Sequence, residues 1–134
     1  MKNQAKDDFQ VAFLPTLSVR NGAAAVEFYK KAFSAELLFC ITDPDGGVVA
    51  ELSIKGVHFI VADESPEYEN FSPETLGGST IRMGLVVPDP DSLTKQAIAA
   101  GAEEIYPVAD QDYGYRLGRI KDPFDHHWEI CRKL

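Results

Sequence analysis

The chain has 134 residues, 13 basic against 21 acidic, for a net charge of -8 and a pI near 4.8. Length allows one ordinary domain, or two small halves on a shared core, and buries enough surface to need no disulfide or metal staple. The acidic balance excludes a nucleic-acid footprint and disfavours anionic membranes, and no run approaches the roughly 18 apolar residues of a membrane span.

Met1–Asp8 is polar and lacks the apolar stretch of a secretory signal. Phe13–Val19 reads as a strand, followed by polar punctuation at Arg20-Asn21-Gly22. A helix over Ala23–Phe33 follows, with Asn21 as N-cap and Val26, Tyr29 and Phe33 at helical spacing. Leu37–Ile41 is a second strand, Asp43–Gly47 a turn, and Val48–Ile54 with Val57–Ala62 a hairpin closed by Lys55-Gly56. Residues 64–78, rich in Glu, Pro, Ser and Gly, read as an exposed linker.

The pattern then repeats. Thr80–Val87 is strand-like, Asp89 caps a helix with Pro90 at its first position, and Gly101 follows its end. Ala102–Tyr106 parallels Ala35–Phe39, and Tyr115–Ile120 with His127–Cys131 makes the closing hairpin. An offset of 67 residues superposes the two halves, which places Pro15 on Arg82. The chain is therefore expected to be α+β: two tandem βαβββ modules, about 9–63 and 79–134, in a single domain over 9–134. Curved mixed sheets of this kind surround a cup-shaped cavity suited to a small molecule. Cys40 and Cys131, far apart in apolar contexts, read as reduced core thiols of a cytoplasmic protein.

Leu17-Ser18-Val19 through Ala25-Val26-Glu27-Phe28-Tyr29-Lys30-Lys31-Ala32-Phe33, and the closing Gly118–Ile130, carry a resemblance. The chain resembles the vicinal oxygen chelate superfamily of glyoxalase I, bleomycin- and fosfomycin-resistance proteins and extradiol dioxygenases. With Pro107-Val108-Ala109-Asp110-Gln111, the ending is similar to the PhnB-like subgroup. The resemblance implies a homodimer, and a divalent metal held by His or Glu on the first and last strands of each half. Carried onto this sequence, those positions fall on Pro15, Arg82 and Glu129. The fourth falls on Glu51 by likeness of its strand, or on Ile60 when the two hairpin turns are aligned. Two of these bear no metal donor, so no cofactor is expected; if a metal is present, Glu129 and Glu51 are its ligands.

Arg82, expected on a central strand, needs an anion: an internal carboxylate (Glu129 or Glu51) or a ligand's carboxylate, phosphonate or phosphate. Glu129 alternates with Trp128 and Ile130, which sends it to the cup with His127 and Cys131. His126 reads as a turn residue, and His127 or His58 as a hydrogen-bonded core histidine. The loop Asp110–Arg116 reads either as a lid, with Tyr113 or Tyr115 on a ligand, or as an ordinary hairpin loop. No catalytic residue is nominated. The expectation is a small-molecule-binding protein with Arg82, Glu129, Glu51, Tyr113, Tyr115 and His127 around an apolar or anionic compound. The alternative is a metal-dependent lyase, isomerase or thiol transferase resembling glyoxalase I or the fosfomycin-resistance enzymes, built from Glu129 and Glu51 with His58 or His127.

Overall fold

The computed structural model describes residues 9–134, so the reading of Met1–Asp8 lies outside the described residues. The first module runs β1 (Thr16–Val19), α1 (Gly22–Phe33), β2 (Glu36–Thr42), β3 (Val48–Ile54) and β4 (Val57–Asp63). The second runs β5 (Arg82–Val86), α3 (Pro90–Ala100), β6 (Glu103–Asp110), β7 (Tyr115–Lys121) and β8 (His127–Lys133). Between them lie a single 3-10 turn at Pro66–Tyr68 and the short helix α2 (Pro73–Leu76). The fold is α+β, two tandem βαβββ modules with two four-stranded mixed sheets, ordered β1-β4-β3-β2 and β5-β8-β7-β6. In each sheet the first strand pairs parallel with the last, and the remaining pairs are antiparallel.

Local chemistry sets the boundaries. The Asn21 side chain accepts from Ala24 N at 3.1 Å, and Asp89 accepts from Ser92 N at 3.1 Å, so both helices start at the expected caps. The strand expected from Phe13 begins only at Thr16, because Pro15 has no N–H and joins the sheet solely as acceptor from Ile60 N at 2.8 Å. The strand expected from Thr80 begins at Arg82. Gly22 starts α1 where a Cβ would stand 2.6 Å from Asp63 Oδ2. That carboxylate accepts from Gly22 N at 3.0 Å and Val48 N at 2.6 Å, tying three elements together.

Residues 64–78 are not the plain exposed linker expected from composition. Ser65 and Asn70 form an isolated bridge, Ser72 caps α2, and Glu64 accepts from Ser72 N and Thr75 Oγ1, each at 2.8 Å. Glu64 is held below the usual carboxylate range chiefly by the Ser72 backbone bond.

The helix-facing sides of both sheets converge on one core. Leu17, Val19, Leu52, Phe59 and Val61 meet α1, while Leu85, Ile120, Trp128 and Ile130 meet α3, and all are buried. Trp128 joins the modules, its ring 4.8 Å from Phe33, 5.5 Å from Tyr29 and 5.8 Å from Phe59 between centroids. A buried carboxylate locks this seam. Asp122 Oδ2 accepts from the Tyr29 hydroxyl and from Trp128 Nε1 at 2.9 Å, while Oδ1 accepts from Phe124 N and His126 N at 2.9 and 3.0 Å. Burial, then the charge of Asp122, pushes the Tyr29 hydroxyl well above its ordinary range.

The repeat offset is corrected by this packing. The caps Asn21 and Asp89 are 68 residues apart, not 67, and the same shift puts Leu17 on Leu85, both buried. An offset of 67 would put Leu17 on Gly84, which faces the other way. Arg82 then corresponds to Leu14 rather than Pro15. Because Leu17 pairs with Val61 and Leu85 with Ile130, the counterpart of Glu129 is Ile60. Cys40 is also corrected: it lies on the edge strand β2, exposed along its whole length, whereas Cys131 is buried.

Candidate functional site

The sides of the sheets turned away from the core are open within one chain. On the first sheet this face carries Phe39 and Ile41 of β2, Val49 and Glu51 of β3, and His58 and Ile60 of β4. Ile41 is 62% exposed and Val49 43%, high for apolar side chains on a sheet face. Glu51 Oε2 and His58 Nδ1 lie 2.6 Å apart, two residues of neighbouring strands joined over that face.

The second sheet carries a different set. Its open face presents Arg82, Gly84 and Val86 of β5, His127 and Glu129 of β8, and Arg119 and Lys121 of β7. Glu129 Oε2 accepts from Arg119 Nη2 at 3.1 Å and forms an ion pair with Arg82, whose Nε lies 3.1 Å away. Arg82 is not the buried central-strand residue expected. β5 is the edge of its sheet, and the Arg82 side chain is 56% exposed. The Arg119 guanidinium also stands 5.2 Å over the Tyr106 ring.

Arg119 is absent from the residues nominated from sequence. Its signal was available in the alternation of β7, where Ile120 is core and Arg119 must face the other way, but only hairpin register sets it opposite Glu129.

His127 sits opposite Lys121 and Arg82 on this face, its Nδ1 buried without a partner among the described residues. Burial first, then the charges of Arg119 and Lys121, pull its pKa below the ordinary 6.5. The core histidine expected at His127 or His58 is instead His126, 7% exposed, whose Nε2 lies 2.9 Å from the Ser18 carbonyl oxygen. His58 is roughly half exposed.

Asp110–Arg116 is a closed hairpin turn: Gln111 N donates to Tyr115 O at 2.7 Å and Gly114 N to Gln111 O at 3.3 Å. Tyr113 is exposed at its tip, 6.3 Å from the Tyr115 ring, and Tyr115 opens β7 on the same face as Arg119. The structure thus brings Arg82, Glu129, His127 and Tyr115 to one sheet face and leaves Glu51 on the other sheet.

The metal donors nominated from sequence are not gathered within one chain. Glu51 and His58 belong to the first sheet and Glu129 to the second, and the described residues hold no group of three or more His, Cys, Asp or Glu placed for a metal. Two guanidinium groups already flank the Glu129 carboxylate, so a cation there meets like charge.

Comparison with known proteins places this architecture. The pattern of the Glyoxalase/Bleomycin resistance protein/Dioxygenase superfamily matches residues 11–130. An uncharacterized protein of Mycobacterium bovis is 37% identical over 123 residues, 89% of this chain and 81% of the relative. Among solved structures, TioX from Micromonospora sp. ML1 is 25% identical with a TM-score of 0.67, covering 92% of this chain and 97% of that one. The fosfomycin resistance protein FosX from Listeria monocytogenes, solved with Mn(II) and sulfate, shares the fold at TM-score 0.70 and 15% identity, covering 94% of each chain. No helix among the described residues is long and apolar enough to cross a membrane.

Proposed function

The chain belongs to the glyoxalase/bleomycin resistance/dioxygenase superfamily, and from that premise we propose a small-molecule-binding protein that works without the superfamily's metal. We read it as a cytoplasmic homodimer of the PhnB-like subgroup, holding a small apolar or anionic compound. Arg82, Glu129, His127 and Tyr115 contact the compound from one sheet, with Tyr113 at the rim. A second copy supplies the apolar face around Glu51, which completes the cup.

The observation that carries this reading is the pair of unlike open faces on one chain. One is apolar, with Ile41 and Val49 exposed; the other is cationic, with two arginines on a single carboxylate. Neither suits a free monomer, because exposed apolar sheet faces of this kind mark interaction sites. Together they line a cavity with an apolar wall and a few fixed polar groups, the usual make-up of a small-molecule site. Sequestration of a compound requires shape and burial, and no reacting group.

Sedimentation equilibrium together with titration by Nile red, a neutral apolar dye, tests the reading. A dimer that takes up the dye saturably is expected, with Ile41→Glu weakening both. A compact monomer with no saturable uptake overturns it. Elemental analysis after incubation with Mn, Fe, Co, Ni and Zn tests the metal part: trace content is expected, and a stoichiometric ion overturns it.

A further inference from the structure

The open face of the second sheet carries more than a general preference for anions. Resting on the reading above, we infer that its ligand is a planar monocarboxylate, an aromatic or conjugated acid, docked on the free end of Arg82 with its ring over Gly84. Four features of that face converge on this class.

The first is charge. Arg82 and Arg119 share one carboxylate, Glu129, which leaves one positive charge uncompensated at the centre of the face. Around them Glu103 and Asp125, 3.6 and 3.8 Å from Lys121 Nζ, offset Lys121 and Lys133, so the face keeps a local excess of one cation on a chain whose net charge is -8. One excess charge matches a monoanion. A phosphate dianion would bring its second charge against Glu129.

The second is geometry. Arg82 reaches Glu129 through Nε, and its two terminal nitrogens donate to no side chain or backbone group among the described residues. That free edge is the fork that pairs two N–H groups with the two oxygens of a carboxylate. A lysine in the same place would offer a point charge and no such match.

The third is unmet hydrogen bonding. Arg119 Nε and His127 Nδ1 are buried and have no partner among the described residues, and both lie on this face beside Glu129. Leaving a buried polar atom unpaired carries its full desolvation cost, so such atoms in native proteins call for a ligand, a water or a functional role. Two on one face, flanking the same carboxylate, leave hydrogen-bonding capacity there for a water or a polar guest.

The fourth is shape. Gly84 stands between Arg82 and Val86, and no atom lies within 4 Å of where its Cβ would be. The strand is therefore bare at Gly84, between side chains whose Cα atoms stand about 13 Å apart at the usual rise per residue. Val86 is 69% exposed at the far end of this shelf. A flat ring lies on such a surface, with its carboxylate at Arg82 and its apolar edge at Val86; a branched aliphatic body would stand off it.

Calorimetric titration of the full chain with benzoate, benzyl alcohol and inorganic phosphate tests the class, with Nile red uptake followed in parallel. Benzoate is expected to bind at least tenfold more tightly than benzyl alcohol or phosphate. Arg82→Ala should weaken benzoate at least tenfold, with Arg82→Lys recovering part of the loss. Gly84→Leu, which fills the shelf at a residue with ordinary backbone angles, should weaken benzoate with Arg82 intact. Equal binding of benzoate and benzyl alcohol, tighter binding of phosphate, or unaltered benzoate binding in Arg82→Ala would each overturn the proposal. If Nile red still saturates in those cases, the cup stands and only the ligand class falls; if benzoate and Nile red both fail to bind, both readings fall together.

Discussion

At the position where β8 carries Glu129, β4 carries Ile60; where β7 carries Arg119, β3 carries Glu51; and where β5 carries Arg82, the first module has Leu14. On the other side of the same strands the correspondence is conservative in kind. Leu17 matches Leu85, Leu52 matches Ile120, Phe59 matches Trp128 and Val61 matches Ile130, all buried. Packing fixes the helix-facing side, because a change of even one methylene is felt in a close-packed interior. The open faces are under no such restraint within the chain, and there the modules part into an apolar wall and a cationic one. The divergence is therefore informative about function where the agreement is informative only about folding.

The modules also differ in what an anchoring carboxylate ties together, and the largest expected effect tests that difference. In the first, Asp63 accepts two backbone N–H bonds near the start of α1. In the second, Asp122 is 1% exposed and takes four bonds, one of them from Tyr29 across the seam between modules. Removing one partner of a buried charged network costs about 3–5 kcal/mol, because the remaining donors stay buried and unpaired. Asp122→Ala should lower stability to urea by about that amount. Asp63→Ala, which leaves two part-buried donors, should cost about 2 kcal/mol. Urea unfolding with an unchanged m-value reads both, and the reverse order would show that the seam is not what holds the modules together.

The element pattern was legible in the sequence because it is written locally. Asn21, Asp89, Pro90 and Gly101 mark helix ends by their own hydrogen bonding and backbone angles. The turn residues of Asp43–Gly47 act equally close to home. Side-chain direction on β5 was half legible: alternation separates Arg82 from Met83, but an offset of 67 or 68 changes which residue of the first module answers it. Only strand pairing decides that. Asp122 in Lys121-Asp122-Pro123-Phe124-Asp125 looks like any turn residue, and nothing local says that Tyr29, 93 residues away, will donate to it. Arg119 escaped for the same reason, since its partner Glu129 is reached only across a hairpin. Cys40 was misread because an apolar run predicts a strand and not whether that strand ends up at a sheet edge.

The two histidines that answer each other, His58 and His127, sharpen the comparison at a smaller scale. His58 is roughly half exposed beside Glu51, while His127 is partly buried beside Arg119 and Lys121. Burial and the two cations lower the pKa of His127 in the folded chain, so folding favours its neutral form. A folded pKa below the unfolded value gives stability that is complete above the ordinary 6.5 and is lost as pH falls below it. Thermal unfolding should therefore shift to lower temperature between pH 7 and pH 5, and His127→Gln should flatten part of that slope. An unchanged slope in the variant would show that the cationic face does not press on His127.

The smallest effect separates the two thiols. Cys40 lies exposed on the edge strand of the first sheet, while Cys131 lies on the open face of the second, buried beside the Glu129 charge. Burial, then that carboxylate, pushes the Cys131 thiol up, and only the thiolate attacks a disulfide reagent. At pH 8, Ellman's reagent should modify Cys40 rapidly and Cys131 at least tenfold more slowly, with both reacting at once in denaturant. Glu129→Gln removes the nearby negative charge but keeps the burial, so it should speed Cys131 only partly. A full return to the rate of Cys40 would mean that the second face is open enough for burial to count for little, and that its chemistry is set by charge alone.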